Sequence, residues 1–180
     1  MQDEIRTLPQ KLLMGRRALV SSHGIHLNAD ALAEDVDYSD VDMVILPGGI
    51  PGTPNLAENK TVTDTCVSFA KAGKKVAAIC AAPSVLASLG LLEGRNATAH
   101  AGFQDKLAGA IVHDEEVVVD GNLTTSYGLG GAIPFALELV RQLAGQGVDV
   151  SPRLVVLPVF ENRQVDVREF AADLGEMLPV

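Results

Sequence analysis

Four apolar residues, Val76-Ala77-Ala78-Ile79, run directly into Cys80, and Ala81-Ala82-Pro83 then lead into a helical stretch that reaches Leu89. A short, uninterrupted apolar run of this kind reads as a parallel strand buried on both faces. Pro83 suits the first turn of the following helix, where its missing N–H costs nothing. Cys80 therefore falls on a tight strand-to-helix corner, with its sulfur near the positive end of the helix, which favours thiolate over thiol. The arrangement is the cysteine counterpart of the serine nucleophile elbow. The competing reading is a buried, inert cysteine on a turn of small residues.

The rest of the chain repeats the strand-then-helix alternation. Val41 to Leu46 reads as a second buried strand and stops at Pro47-Gly48-Gly49. Two glycines at a strand end mark a place where backbone approaches something closely or takes a positive φ. Pro51-Gly52-Thr53-Pro54 extends the loop, and Leu56 to Gly73 reads as one helix with Val62, Cys66 and Phe69 on a shared face and Gly73 as its cap. The helix after Cys80 closes at Gly90. Ala97 to Ala99 is a short strand ending at His100, and Phe103 to Ala108 a small helix. Val117–Val119 and Leu123–Ser126 flank Asp120-Gly121-Asn122, a hairpin signal. Ser126 to Gly131 is a further glycine-rich strand end, opening a helix from Ala132 to Leu143.

Before the second strand the pattern is weaker. Ile5 to Leu13 suits a short strand interrupted by Pro9, Arg17–Ser21 and Gly24–Leu27 suit two short strands or a hairpin, and Asn28–Asp35 is an acidic connector with room for one helical turn. Strands alternating with helices predict an α/β protein with a mainly parallel sheet. In such sheets ligands sit beyond the carboxyl ends of the strands. The Gly48-Gly49 loop, the Cys80 corner, the Ser126–Gly131 loop and His100 converge there, which favours a reactive Cys80.

Composition removes several alternatives. With 180 residues, 47% of them hydrophobic, the chain suits one compact domain. A net charge of −9 with no basic cluster argues against nucleic acid as a partner. No stretch approaches the roughly 18 to 20 apolar residues of a membrane span, and Asp3 and Glu4 sit where a signal peptide would be basic. A soluble, cytoplasmic domain is expected. Two cysteines make no disulfide framework, and the four histidines show no metal-ligand spacing, so neither a metal nor a cofactor is expected. Cys66 is expected to be a packed spectator, and His26 and His113 surface or packing residues.

Three stretches, DMVILPGGIPGTPNL, AAICAAPSVLASLGLLEGRNATAH and DGNLTTSYGLGGAIPFALELV, resemble the ThiJ/PfpI (DJ-one-like) superfamily from about Gly15 to Gly145. The stretch from Ser21 to Met43 looks closest to its bacterial protein-repair and chaperone branch. The resemblance implies a flavodoxin-like three-layer sandwich, usually homodimeric, with Cys80 as nucleophile or oxidation-sensing thiolate. It further implies an oxyanion hole from the backbone N–H groups of Gly49 and Ala81, and a nearby His100. His23 and Tyr127 stand where relatives often carry arginines.

The ends depart from that pattern. Members of the family normally begin with the central strand, a glutamate-rich loop and a helix, and one of those glutamates lies against the cysteine. Here only thirteen residues precede Met14-Gly15-Arg16-Arg17, whereas after Gly145 come a strand-like Arg153–Val159, a loop Phe160–Gln164 and an amphipathic Val165–Leu178. A circular permutation is expected, in which residues 146–180 of a single domain 1–180 supply the missing strand and helix. Leu154–Pro158 is then expected beside the Cys80 strand, residues 4–13 supply the next one, and Glu161, or Gln164 in a looser alignment, stands for the family glutamate.

The function implied is a cysteine-dependent enzyme on small reactive aldehydes or glycated substrates: a glutathione-independent glyoxalase or a deglycase. The alternative is a redox-responsive chaperone or sensor in which Cys80 is oxidised without turnover. A scaffold whose chemistry was lost with the acid is a third reading. A protease is disfavoured, because Ala99-His100-Ala101 replaces the cysteine-histidine-glycine corner such members carry.

Overall fold

A computed structural model describes residues 13–14, 18–20 and 26–144. His23, Glu161, Gln164, most of the 4–13 strand and the whole of 146–180 lie outside the described residues.

In chain order the elements are β1 (Leu13–Met14), β2 (Ala18–Val20), β3 (His26–Asn28), β4 (Ala31–Leu32), β5 (Met43–Leu46), α1 (Gly52–Glu58), α2 (Lys60–Ala72), β6 (Lys75–Ile79), α3 (Pro83–Ser88), β7 (Asn96–Ala97), β8 (Ile111–Val112), β9 (Val117–Asp120), β10 (Leu123–Ser126) and α4 (Ala132–Ala144). The central sheet runs β5-β6-β10-β9, with β5, β6 and β10 parallel and β9 antiparallel at one edge. β2 and β3 form the expected hairpin ladder, β1 pairs with β4, and β7 with β8. Three residues, Ala33–Asp35, make the helical turn expected in the acidic connector.

Helices cover both faces, so the α/β, flavodoxin-like sandwich with a mainly parallel sheet is the observed architecture. On one face Leu46, Val76, Ala78 and Leu123 pack with Cys66 and Phe69 of α2 and Val85 and Leu86 of α3. On the other, Ala77 and Ile79 pack with Phe135 and Leu139 of α4, and Met43 joins them. The alternation follows from the two-residue period of a strand. Both faces of β6 are filled, and Val76, Ala77 and Ala78 are fully buried. Its small alanines let helices approach from both sides.

Four expectations are corrected. The predicted helix 56–73 is two helices, separated at Asn59, whose side chain accepts the Val62 N–H at 3.1 Å and caps α2. An Asn in that position competes with the helix interior and favours a fresh start. The cap at Gly73 is as expected, in the left-handed region at φ 73°. The second strand is not buried throughout, since Ile45 is 49% exposed on β5, an edge strand of the central sheet among the described residues. The strand before His100 is only Asn96–Ala97 and belongs to the β7–β8 ladder rather than to the central sheet, and the small helix is a 3-10 turn at Ala101–Lys106. Finally, β6 is flanked by β5 and β10, so no place beside the Cys80 strand is open to another strand.

Candidate functional site

Because β5, β6 and β10 run the same way in register, their carboxyl ends align: Leu46 stands opposite Ala78, and Ile79 opposite Ser126. The loops that follow are thereby placed side by side. The middle loop carries Cys80, the one described non-glycine residue with a positive φ, at 66°. A side chain held there is strained, and such strain persists only where the surroundings over-determine it. The Cys80 N–H donates to Ser126 O at 2.9 Å, and Cys80 O accepts from the His100 N–H at 2.9 Å. Pro83 opens α3, as its fixed φ allows.

Glycines make room around the corner. A Cβ on Gly48 would lie 2.6 Å from Cys80 Cβ, 2.7 Å from Ile79 O and 2.9 Å from Ala81 N. The Gly48-Gly49 loop thus rests directly on the elbow, and Gly49 holds φ 92°. Gly49 O accepts from both the Thr53 N–H at 2.8 Å and the Thr53 hydroxyl at 3.0 Å, which fixes the loop to α1. On the far side Gly128 has φ 146°, and a Cβ there would meet His100 Cδ2 at 3.7 Å and Cys80 Sγ at 3.8 Å. Cys80 Sγ and the His100 ring therefore both face Gly128.

His100 reaches this place by a chain of polar contacts. Thr98, fully buried, donates its N–H to Thr125 Oγ1 on β10 at 2.9 Å. Asp120 at the end of β9 accepts from Asn96 N at 2.8 Å and Asn96 Nδ2 at 2.9 Å. The His100 ring then accepts the Gly102 N–H on Nδ1 at 3.2 Å, so in the neutral ring the proton sits on Nε2. Phe103 stands edge-on to it, with centroids 6.5 Å apart.

The structure thus brings together Cys80, Ala81, the Gly48-Gly49 loop, Gly128 and His100. Cys80 is buried, with 7% of its surface exposed. Cys66 stands apart as a free, buried cysteine on α2, and burial pushes its thiol up to about 11, as expected of a spectator. His26 is on the surface and His113 bonds Asn96 Oδ1 at 2.7 Å. Tyr127 packs its ring over the Gly130-Gly131 turn. No cluster of metal-ligating side chains occurs among the described residues. A surface hollow of about 380 Å³ between α1, α3 and the 3-10 turn is lined by Ile50, Thr53, Ser84 and Phe103 but not by Cys80 or His100.

Sequence reasoning marked the Gly48-Gly49 loop and the Ser126–Gly131 loop but named only Gly49 as a site residue; the absent side chains of Gly48 and Gly128 are what create the space. The double glycine was the signal for the first. For Gly128 the signal was the glycine-rich end of β10. Asp120 was read only as part of the hairpin turn, and neither its bonds to Asn96 nor that of Thr125 to Thr98, which hold the segment leading to His100, carried a sequence signal.

The family model described as DJ-1/PfpI family matches residues 7–142. Among curated proteins the chain is 38% identical over 141 residues to protein DJ-1 homolog A of Arabidopsis thaliana, covering 76% of this chain and 36% of that protein. The chain thus spans about a third of the length of that plant relative. It is 39% identical over 131 residues to a deglycase of Thermococcus kodakarensis, covering 71% of this chain and 78% of the relative. To an isonitrile hydratase of Pseudomonas putida it is 37% identical over 154 residues, covering 82% and 66%. Among solved structures, a mutant of a DJ-1 superfamily protein from Salmonella typhimurium matches with a TM-score of 0.70 and 31% identity, covering 91% of this chain and 80% of that one.

Proposed function

Since the chain belongs to the DJ-1/PfpI family, we propose that it is a cysteine-dependent enzyme acting on small reactive aldehydes, as a glutathione-independent glyoxalase or a deglycase. The observation that carries this reading is the positive φ of Cys80 on a corner cleared by Gly48 and Gly128. A buried inert thiol needs no strained backbone and no vacated space beside it. A relative named deglycase and another named isonitrile hydratase fit cysteine chemistry on small molecules.

In this mechanism the Cys80 thiolate attacks the aldehyde carbon of methylglyoxal, forming a C–S bond and an alkoxide. The N–H groups of Gly49 and Ala81 hold that oxygen until it takes a proton. A base then moves the proton from the former aldehyde carbon to the neighbouring ketone carbon through an enediol, which leaves a thioester. Water cleaves the thioester, releasing lactate and restoring the thiolate, so one water is consumed for each lactate formed. His100, whose ring and the Cys80 sulfur both face Gly128, is proposed to move protons, with Glu161 as the carboxyl partner. A cytoplasmic homodimer is part of the same proposal.

The test is turnover of methylglyoxal to lactate without glutathione, with the natural chain beside Cys80→Ser. Activity that disappears in the variant is expected. Equal turnover in both would overturn the reading, and no turnover in either would leave Cys80 as a redox thiol at most.

A further inference from the structure

We infer that the hollow between α1, α3 and the Ala101–Lys106 turn binds a small apolar carboxylate, anchored by the Lys106 ammonium. Its volume of about 380 Å³ stands near the low end of small-molecule pockets, which run from about 300 to 1,000 Å³. Ile50, Ala57, Val85, Ala108 and the Phe103 ring give it apolar walls. Ile50 is 46% exposed, so apolar surface is available to a ligand there.

The charge comes from a single place. Among the described residues that line the hollow, Lys106 alone is charged. Elsewhere in the described fold cations are spent on oxygen: Lys60 on Asp64, Lys74 on the carbonyls of Tyr38, Ser39 and Val41, Arg95 on Asp120 and Arg141 on Glu138. Lys106 forms no ion pair among the described residues. Its Nζ instead lies 4.4 Å from the centroid of the Phe103 ring. A cation held on a ring face keeps its N–H donors for an anion.

The hydroxyls of the hollow do not compete for that anion. Thr53 donates its hydroxyl proton to Gly49 O at 3.0 Å, Ser84 to Ala81 O at 2.7 Å and Ser88 to Val85 O at 2.7 Å. A hydroxyl has one proton, so these three can only accept further bonds. The anionic end of a ligand therefore goes to Lys106, and a body of one ring or a short branched chain goes against the apolar walls. The same contacts tie the hollow to the reactive corner. Thr53 holds the residue that ends the Gly48-Gly49 loop, Ser84 holds the residue after Cys80, and Phe103 stands edge-on to the His100 ring. A ligand seated there touches the supports of the Cys80 corner without entering it.

The test is titration of the full chain, labelled with nitrogen-15, with phenylacetate, followed by amide shifts. Saturable shifts at Ala57, Phe103, Lys106 and Ala108 are expected, with a Kd of about 1 mM, as for a small ligand in an open pocket. Phenylacetamide keeps the body and removes the charge. It is expected to bind about threefold to fivefold more weakly, as is phenylacetate to Lys106→Gln, the scale of an exposed ion pair. Lys106→Arg is expected to keep the affinity within about twofold, because the charge remains. No saturation by about 10 mM would overturn the inference. So would equal affinity for the amide, or undiminished affinity in Lys106→Gln. Shifts centred on Cys80 and Gly128 that leave Ala57 and Ala108 unmoved would overturn it as well, by placing the ligand at the reactive corner. None of these outcomes depends on whether methylglyoxal is turned over.

Discussion

Gly48 and Cys80 touch so closely that no side chain fits between them: a Cβ on Gly48 would stand 2.6 Å from Cys80 Cβ and 2.7 Å from Ile79 O. The neighbours it would meet include backbone, which cannot swing aside as a flexible side chain can. Gly48→Ala is therefore expected to destabilise the fold by about 1–3 kcal/mol, as overpacking does. It is also expected to lower kcat/KM at least tenfold by displacing the elbow. Gly52 at the start of α1 has open space around it and serves as the control. Urea unfolding and turnover of both variants check this, and a Gly48→Ala protein that unfolds and turns over like the Gly52→Ala control would contradict it.

His100 has two duties that one pair of substitutions separates. Its Nδ1 accepts the Gly102 N–H and so caps the 3-10 turn, while its ring faces Gly128 beside the sulfur. Asn is a good capping acceptor but carries no imidazole. His100→Asn is expected to keep stability within about 0.5 kcal/mol and to lose roughly 100-fold in kcat. His100→Ala is expected to lose the same activity and about 1 kcal/mol of stability besides. Undiminished kcat in His100→Asn would remove the imidazole from the mechanism.

Asp120 ties the strand that leads to His100 to the hairpin. The Asn96 backbone N–H, then the Asn96 side-chain amide, hold its carboxyl below the ordinary value of 3.8, with Arg95 adding to the effect. A depressed carboxyl contributes stability above its unfolded pKa and loses it as pH falls through the lower folded pKa. Asp120→Asn is expected to cost about 1 kcal/mol at pH 7, small because the group is partly solvated. The gap between the two proteins is expected to begin closing below about pH 4 and to keep closing toward pH 2. A gap unchanged in acid would mean that the charge of Asp120 does no more than an amide would.

The parts of this molecule that could be read in advance are those where local chemistry leaves little choice. Cys80 between an apolar run and a proline has few other places to go, and the structure puts it on the strained corner. The Asp120-Gly121-Asn122 hairpin formed with a positive φ at Gly121 and not at Asn122, which fits the type II′ turn. The misread parts depend on what happens between elements. Asn59 splits a continuous helical period because its amide caps a new helix, and neither outcome is excluded by periodicity. Ile45 reads as core in sequence, yet its burial depends on whether another strand lies beyond β5. The place beside β6 went to β10, a choice made by sheet order rather than by any residue in β6.

The two cysteines should separate chemically because their surroundings differ. Cys66 is 1% exposed within α2, and burial raises its thiol from the ordinary 9.0 to about 11. For a group raised in the folded state, the unfolded chain ionises first, so stability is fully present below about pH 9 and falls as pH rises through the folded value. Two pKa units correspond to about 2–3 kcal/mol between pH 9 and 11. Cys66→Ala removes a small buried group at a cost of about 1 kcal/mol that does not vary with pH. The natural chain is thus expected to be the more stable protein at pH 8 and the less stable at pH 11, measured by urea unfolding against the variant. Parallel curves across that range would show that the Cys66 thiol is no harder to ionise than in the unfolded chain. Iodoacetamide at pH 8 provides an independent check. It is expected to modify Cys80 and spare Cys66, because alkylation needs a thiolate that burial denies to Cys66.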